Sequence, residues 1–268
     1  MKKIAAALAV SSIALSLPTS VNAHRAWVLP SATIVSGTGQ WVTVDAAVSN
    51  DLFYFEHFPL QLNGLFVSMP DGSAGKAQNP STGRYRSTFD VELTQTGTYR
   101  LGVKNEGFFA SYVLNGERKR ARLKADEIKT GIPAGATEVR LTETSGRNET
   151  FVTNGKPTDT VLKPQGKGLE LVPVTHPNNL VAGEKADFRF QLDGKPAANL
   201  EIELVPGGNR YRDKLNDVKI KTDANGAFSV TFPNAGMYWL EASAEGKSSI
   251  PNATRRDGYI ATLEVMPE

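Results

Sequence analysis

The chain has 268 residues, with 30 Lys and Arg against 28 Asp and Glu, three His and no Cys. Without cysteine there are no disulfides, thiolate ligands or Cys nucleophile, so stability rests on core burial and a metal site must use His, carboxylate, Tyr, amide or backbone groups. Hydrophobic content of 40% supports a real core over one large or two ordinary domains, while a formal charge of +2 singles out no class of partner.

The first segment reads as a secretory signal. Lys2 and Lys3 precede an apolar run from Ile4 to Leu17 that is too short to span a bilayer comfortably, and Val21-Asn22-Ala23 offers a peptidase site. Residues 1–23 are therefore expected to be removed on export to the periplasm. No Cys follows the run, so lipidation is not indicated, and no second apolar stretch approaches membrane-spanning length, so the mature protein is expected to be soluble. Cleavage after Ala23 leaves His24 first. A terminal histidine presents its α-amine and Nδ1 to one ion in a six-membered chelate, and the amine, titrating near pH 7.7–8.0, gives up its proton at modest cost.

The mature chain reads as β throughout, as two β-sandwich domains. Residues 24–143 form the first, with strands predicted at Trp41–Val48, Leu65–Met69, Ser87–Leu93, Gly97–Val103 and Phe108–Leu114. Between the first two lies the aromatic-dense run Leu52-Phe53-Tyr54-Phe55-Glu56-His57-Phe58-Pro59. Its proline favours extended or turn backbone and puts His57 at a strand end, where sandwiches display function. Asp51 and Glu56 flank His57 as candidate ligands or as carboxylates orienting the imidazole, and Tyr54, Tyr112 and Tyr211 are weaker phenolic candidates. Arg118–Thr130 is the one stretch suggesting a short helix. Its basic cluster, Arg118-Lys119-Arg120 with Arg122 and Lys124, reads as a solvated edge or loop, and export argues against nucleic acid.

Residues 144–167, rich in Gly, Thr, Asn, Lys and Pro, read as a linker with one strand at Thr150–Thr153. Residues 168–268 then give seven strands: Leu169–Val174, Ala186–Leu192, Leu200–Val205, Val218–Thr222, Ala227–Phe232, Met237–Ala244 and Tyr259–Val265. Turns at Asp193-Gly194, Asp223–Gly226 and Pro233–Gly236 punctuate them, which suits an immunoglobulin- or transthyretin-like sandwich. His176 follows the first of these strands and precedes Pro177. No HxH, HExxH, GxSxG, P-loop or EF-hand spacing occurs, so chemistry rests on whether His24, His57 and His176 converge.

The mature start His24-Arg25-Ala26-Trp27-Val28-Leu29-Pro30-Ser31, the segments Leu169–Pro177 and Leu192–Ala197, and the closing Tyr259–Val265 together resemble domain-of-unknown-function family 4198 over essentially the whole mature chain. The resemblance implies an exported β protein associated with uptake of nickel, cobalt or other transition metals, with no settled enzymatic activity. The first expectation is a periplasmic accessory protein holding a divalent ion (Cu, Ni, Co or Fe) through His24 with His57, His176 or both, and passing it to an inner-membrane importer or reductase. A histidine-brace copper redox enzyme is the second, and an adhesion or carbohydrate-binding sandwich without metal the third.

Overall fold

The computed structural model describes residues 24–268; the expected signal, residues 1–23, lies outside them. In chain order the first strands are β1 (Arg25–Pro30), β2 (Ile34–Val35), β3 (Gln40–Ser49), β4 (Phe58–Pro59), β5 (Leu65–Ser68), β6 (Gln78–Thr82) and β7 (Ser87–Leu93). Two long strands, β8 (Gly97–Leu114) and β10 (Thr137–Asn154), follow with the shorter β9 (Glu117–Leu123) between them. The remainder are β11 (Leu169–Pro173), β12 (Lys185–Leu192), β13 (Lys195–Pro196), β14 (Glu201–Pro206), β15 (Val218–Lys221), β16 (Ala227–Thr231), β17 (Gly236–Lys247) and β18 (Thr254–Val265). Only 3₁₀ turns interrupt them, so the described chain is β, as its alternation predicts, and no described helix is long and apolar enough to cross a membrane.

The strands form three sheets. The first runs β1-β3-β7-β6 with β4 beside β3; the second runs β15-β14-β17-β18-β10-β8-β5 with β9 on β8 and β2 on β10; the third runs β11-β12-β13 with β16 on β12. The second sheet is the middle layer, which the alternation of its strands makes plain. Val152 of β10, with Tyr99 and Leu101 of β8, packs against Val28, Val44 and Phe89 of the first sheet. The adjacent Phe151, with Tyr259 and Leu263 of β18, packs on the opposite side against Leu171, Phe188 and Phe190 of the third.

Three expectations are corrected. Thr144–Asn154 belongs to β10, an 18-residue strand between β8 and β18, and is not linker. Its polar residues disguised a central strand because they satisfy each other inside: the Glu149 carboxylate receives Nε and Nη2 of Arg100, both at 2.9 Å, and the Tyr259 hydroxyl at 2.6 Å, while Glu170 receives Arg147 at 3.3 Å. Arg118–Thr130 holds only a three-residue 3₁₀ helix at Ala125–Glu127, and its first half is strand β9. Asn115 and Gly116, at φ 52° and 79°, turn β9 back onto β8, with Ala121 and Leu123 inward and Arg120 and Arg122 outward. The two strands predicted at Gly97–Val103 and Phe108–Leu114 are one, because β10 pairs with β8 along nearly all its length.

Candidate metal centre

His24 enters β1, which pairs antiparallel with β3 so that Arg25 lies opposite Ser49. On the other side of β3, Phe58 of β4 lies opposite Val48. β1 and β4, on opposite sides of β3, thus bring a histidine each to the same strand end. The His24 and His57 rings stand 4.2 Å apart between centroids, their planes at 79°, and Phe58 lies 5.9 Å from His24 and 6.4 Å from His57. His24 is exposed and His57 half-buried, yet Nε2 of His57 is buried without a hydrogen-bond partner. A buried polar atom left unpaired costs free energy unless something binds it, so this nitrogen is the ligand-ready atom of the pair.

The loop carrying His57 is fixed from several sides. Oε1 of Glu56 accepts the backbone N–H of Asn50 at 2.7 Å and of Asp51 at 2.8 Å, closing the loop on itself. Ser49 Oγ accepts the Trp27 indole N–H at 2.8 Å and donates to the Asp51 carbonyl at 2.6 Å. From the turn that follows β14, Asn209 Oδ1 accepts the Leu52 N–H at 2.8 Å, and its amide donates to Asp51 Oδ1 at 3.2 Å. Phe53 holds φ at 64°, a conformation costly for an aromatic residue, with its ring between Trp27 and Gly207. A Cβ at Gly207 would meet that ring at 3.0 Å and the Met237 carbonyl at 2.9 Å, so glycine is required there. Arg86 over Phe55 and Arg210 over Tyr54, 4.4 and 3.7 Å from the ring centroids, complete the clamp.

The expected residues therefore divide. His24 and His57 meet. Glu56 and Asp51 sit beside them but spend hydrogen bonds on loop shape, and among the described residues no group of three or more His, Asp and Glu is disposed to hold an ion. His176 lies elsewhere. Its Nε2 is 3.0 Å from Thr98 Oγ1 and its Nδ1 accepts the Asn178 N–H at 3.1 Å. Thr98 faces Thr153, which pairs with Ile34 just beyond the far end of β1, so His176 is separated from His24 by the length of that strand, roughly 20 Å for six residues. Burial holds the His176 pKa below 6.5, against the Thr158 backbone and Asp159. Tyr112 packs in a core, Tyr54 takes part in the loop clamp and Tyr211 is exposed. Asn209 carries no local signal in the sequence, because its role depends on a contact 157 residues away.

Residues 21–246 match the family described as Domain of unknown function (DUF4198). The chain belongs to the DUF4198 family. No curated protein matches this DUF4198 chain. Among solved structures it is similar to the D0-D1 domain of Intimin, at 15% identity over 89% of this chain and 97% of that one, TM-score 0.22. It is also similar to the fibronectin(III)-like modules of Clostridium thermocellum CbhA, at 10% identity over 90% and 94%, TM-score 0.21. A third likeness is the ICAM-5 D1-D4 ectodomain fragment, at 10% identity over 91% and 51%, TM-score 0.23.

Proposed function

We propose that this chain is exported to the periplasm, processed after Ala23, and holds one divalent transition-metal ion at its new N-terminus as an accessory to metal uptake. The ion's donors are the His24 amine and imidazole together with the His57 imidazole; copper, nickel and cobalt suit nitrogen ligands of this kind. The observation that carries the reading is the His24–His57 pair itself, with rings 4.2 Å apart and Nε2 of His57 buried and unpartnered. With no carboxylate joining the pair, the free amine supplies the third donor. In this reading the molecule is two β-sandwich units sharing the middle sheet, the C-terminal one immunoglobulin- or transthyretin-like, and the recipient of the ion is a membrane importer or reductase.

The test is titration of Cu(II) and Ni(II) into protein whose mass establishes His24 as first residue, beside protein retaining one residue before it. Binding of a single equivalent to the first and loss of that site in the second are expected. Equal binding by both removes the amine from the site and sinks the proposal.

A second reading has its own support. With His176 elsewhere, the donor set is one amine and two imidazoles, that of a histidine brace, which gives copper redox enzymes their site. Reductant-dependent consumption of O₂ by the copper-loaded protein, absent from the His57→Ala variant, distinguishes the redox enzyme from the carrier.

A further inference from the structure

The β8–β9 hairpin has one covered and one open face. Phe108, Ala110, Tyr112 and Leu123 are buried beneath Ile128, Ile132 and Ala136 of the segment that follows. Alternation puts Phe109, Ser111, Arg118, Arg120 and Arg122 on the opposite face. Register extends that face across the middle sheet. Arg120 lies opposite Ser111, which lies opposite Arg140; Arg122 lies opposite Phe109, which lies opposite Thr142 and then Thr254; one row further, Thr144 lies beside Arg256. All five arginines and the Phe109 ring are exposed. Their carboxylate company is sparse: Glu138 pairs with Arg118 at 2.6 Å, Glu245 is the register partner of Arg256, and Glu241, half-buried on the same face of β17, also acts on Arg256. Among the described residues Arg120, Arg122 and Arg140 have no carboxylate within ion-pair distance. A chain with net charge of only +2 has thus gathered five guanidiniums onto one pleated face.

We propose that this face docks on an anionic phospholipid surface. Guanidinium presents a planar fork that takes phosphate oxygens in pairs, and its weak hydration suits the headgroup layer. Strand geometry spaces alternate arginines by roughly 7 Å along β9, with further rows about 5 Å apart across the sheet, a broad array of single charges rather than a pocket for one anion. A protein partner would be expected to meet an apolar centre with charges at the rim. Here the charges stand on both sides of a narrow row formed by Ser111 and the Phe109 ring, with threonines beyond, so that no broad apolar centre separates them and one aromatic ring is available to enter the interface. The proposal is independent of the metal centre.

Co-sedimentation of the processed protein with vesicles tests it. Vesicles of phosphatidylcholine with phosphatidylglycerol should bind the protein and phosphatidylcholine alone should not, and binding should weaken steeply between about 50 and 300 mM NaCl as the Debye length shrinks. Each basic residue near an anionic leaflet contributes about five-fold, so Arg120→Gln/Arg122→Gln/Arg140→Gln should lose roughly 100-fold. Circular dichroism and melting temperature check that this variant folds, and Arg→Lys at the same three positions, which preserves charge, should retain most binding. Neutralising Lys185 and Lys195, exposed on strands of the third sheet, should change it less than two-fold. Equal binding to both vesicle types, an unaffected arginine variant, or an equal loss in the lysine control overturns the proposal. So does tighter capture of poly-glutamate or a DNA duplex, which would make the partner an acidic protein or a nucleic acid.

Discussion

Loss of the His57 imidazole should weaken Cu(II) or Ni(II) binding by more than the roughly 10–100-fold that loss of an outer partner costs, because it removes a donor itself. His176→Ala should leave metal affinity unchanged, since that ring is bonded to Thr98 and Asn178 at the other end of β1. Asn209→Ala falls between these, at about ten-fold, through the loop it steadies. Isothermal titration of the three variants checks the order. His176 matters for folding instead. Its pKa is lowered in the fold, so the unfolded chain takes up a proton first as pH falls through about 6.5. The stability it contributes is present above that pH and declines below it. Urea unfolding at pH 7.5 and 5.5 should accordingly show a larger drop for the native sequence than for His176→Gln.

Among the elements, β10 carries the greatest consequence. Glu149 is fully buried and binds Arg100 through two bonds while accepting from Tyr259. Glu149→Ala should destabilise the fold by about 3–5 kcal/mol, since it strands a buried guanidinium, whereas substitutions at the exposed Glu117–Lys119 pair should be nearly silent. Chemical denaturation measures both. The same strand shows what sequence can disclose. Strands with one apolar face, such as β3, β7 and β12, were legible from alternation, and so were the glycine turns between them. A strand with both faces buried and polar residues paired to neighbouring strands reads as solvated chain, because Arg100 and Tyr259, the partners of Glu149, lie dozens of residues away in sequence. The candidate site was legible in part for a similar reason. His24 and His57 stood out by chemistry and setting, but their meeting, and the departure of His176, follow from β3 receiving β1 and β4 on its two sides.

At the scale of the molecule, the two cores share a wall. Val152 and Phe151 are neighbours in β10 and belong to different cores, so neither core can be lost without disordering the strand that closes the other. Calorimetric unfolding should therefore show one transition with equal calorimetric and van't Hoff enthalpies, where two independently folded halves would give two. Trypsin should spare the interval from Thr144 to Asn154, despite Arg147 within it, and cut exposed sites around Lys124–Lys129 first; mass spectrometry of early fragments decides this.

The position of β18 sets the timetable of folding. It is the last of the described strands, yet it occupies the interior of the middle sheet, antiparallel to β17 and parallel to β10. The Thr150 hydroxyl reaches a carbonyl 112 residues later. Until residues 254–265 arrive, a nascent or refolding chain has two long unsatisfied strand edges facing an empty slot, each a template for pairing with another molecule. Such distant parallel pairing is slow to find. Small C-terminal deletions should therefore be more damaging to yield than their size suggests, driving the chain into aggregates rather than trimming a dispensable end.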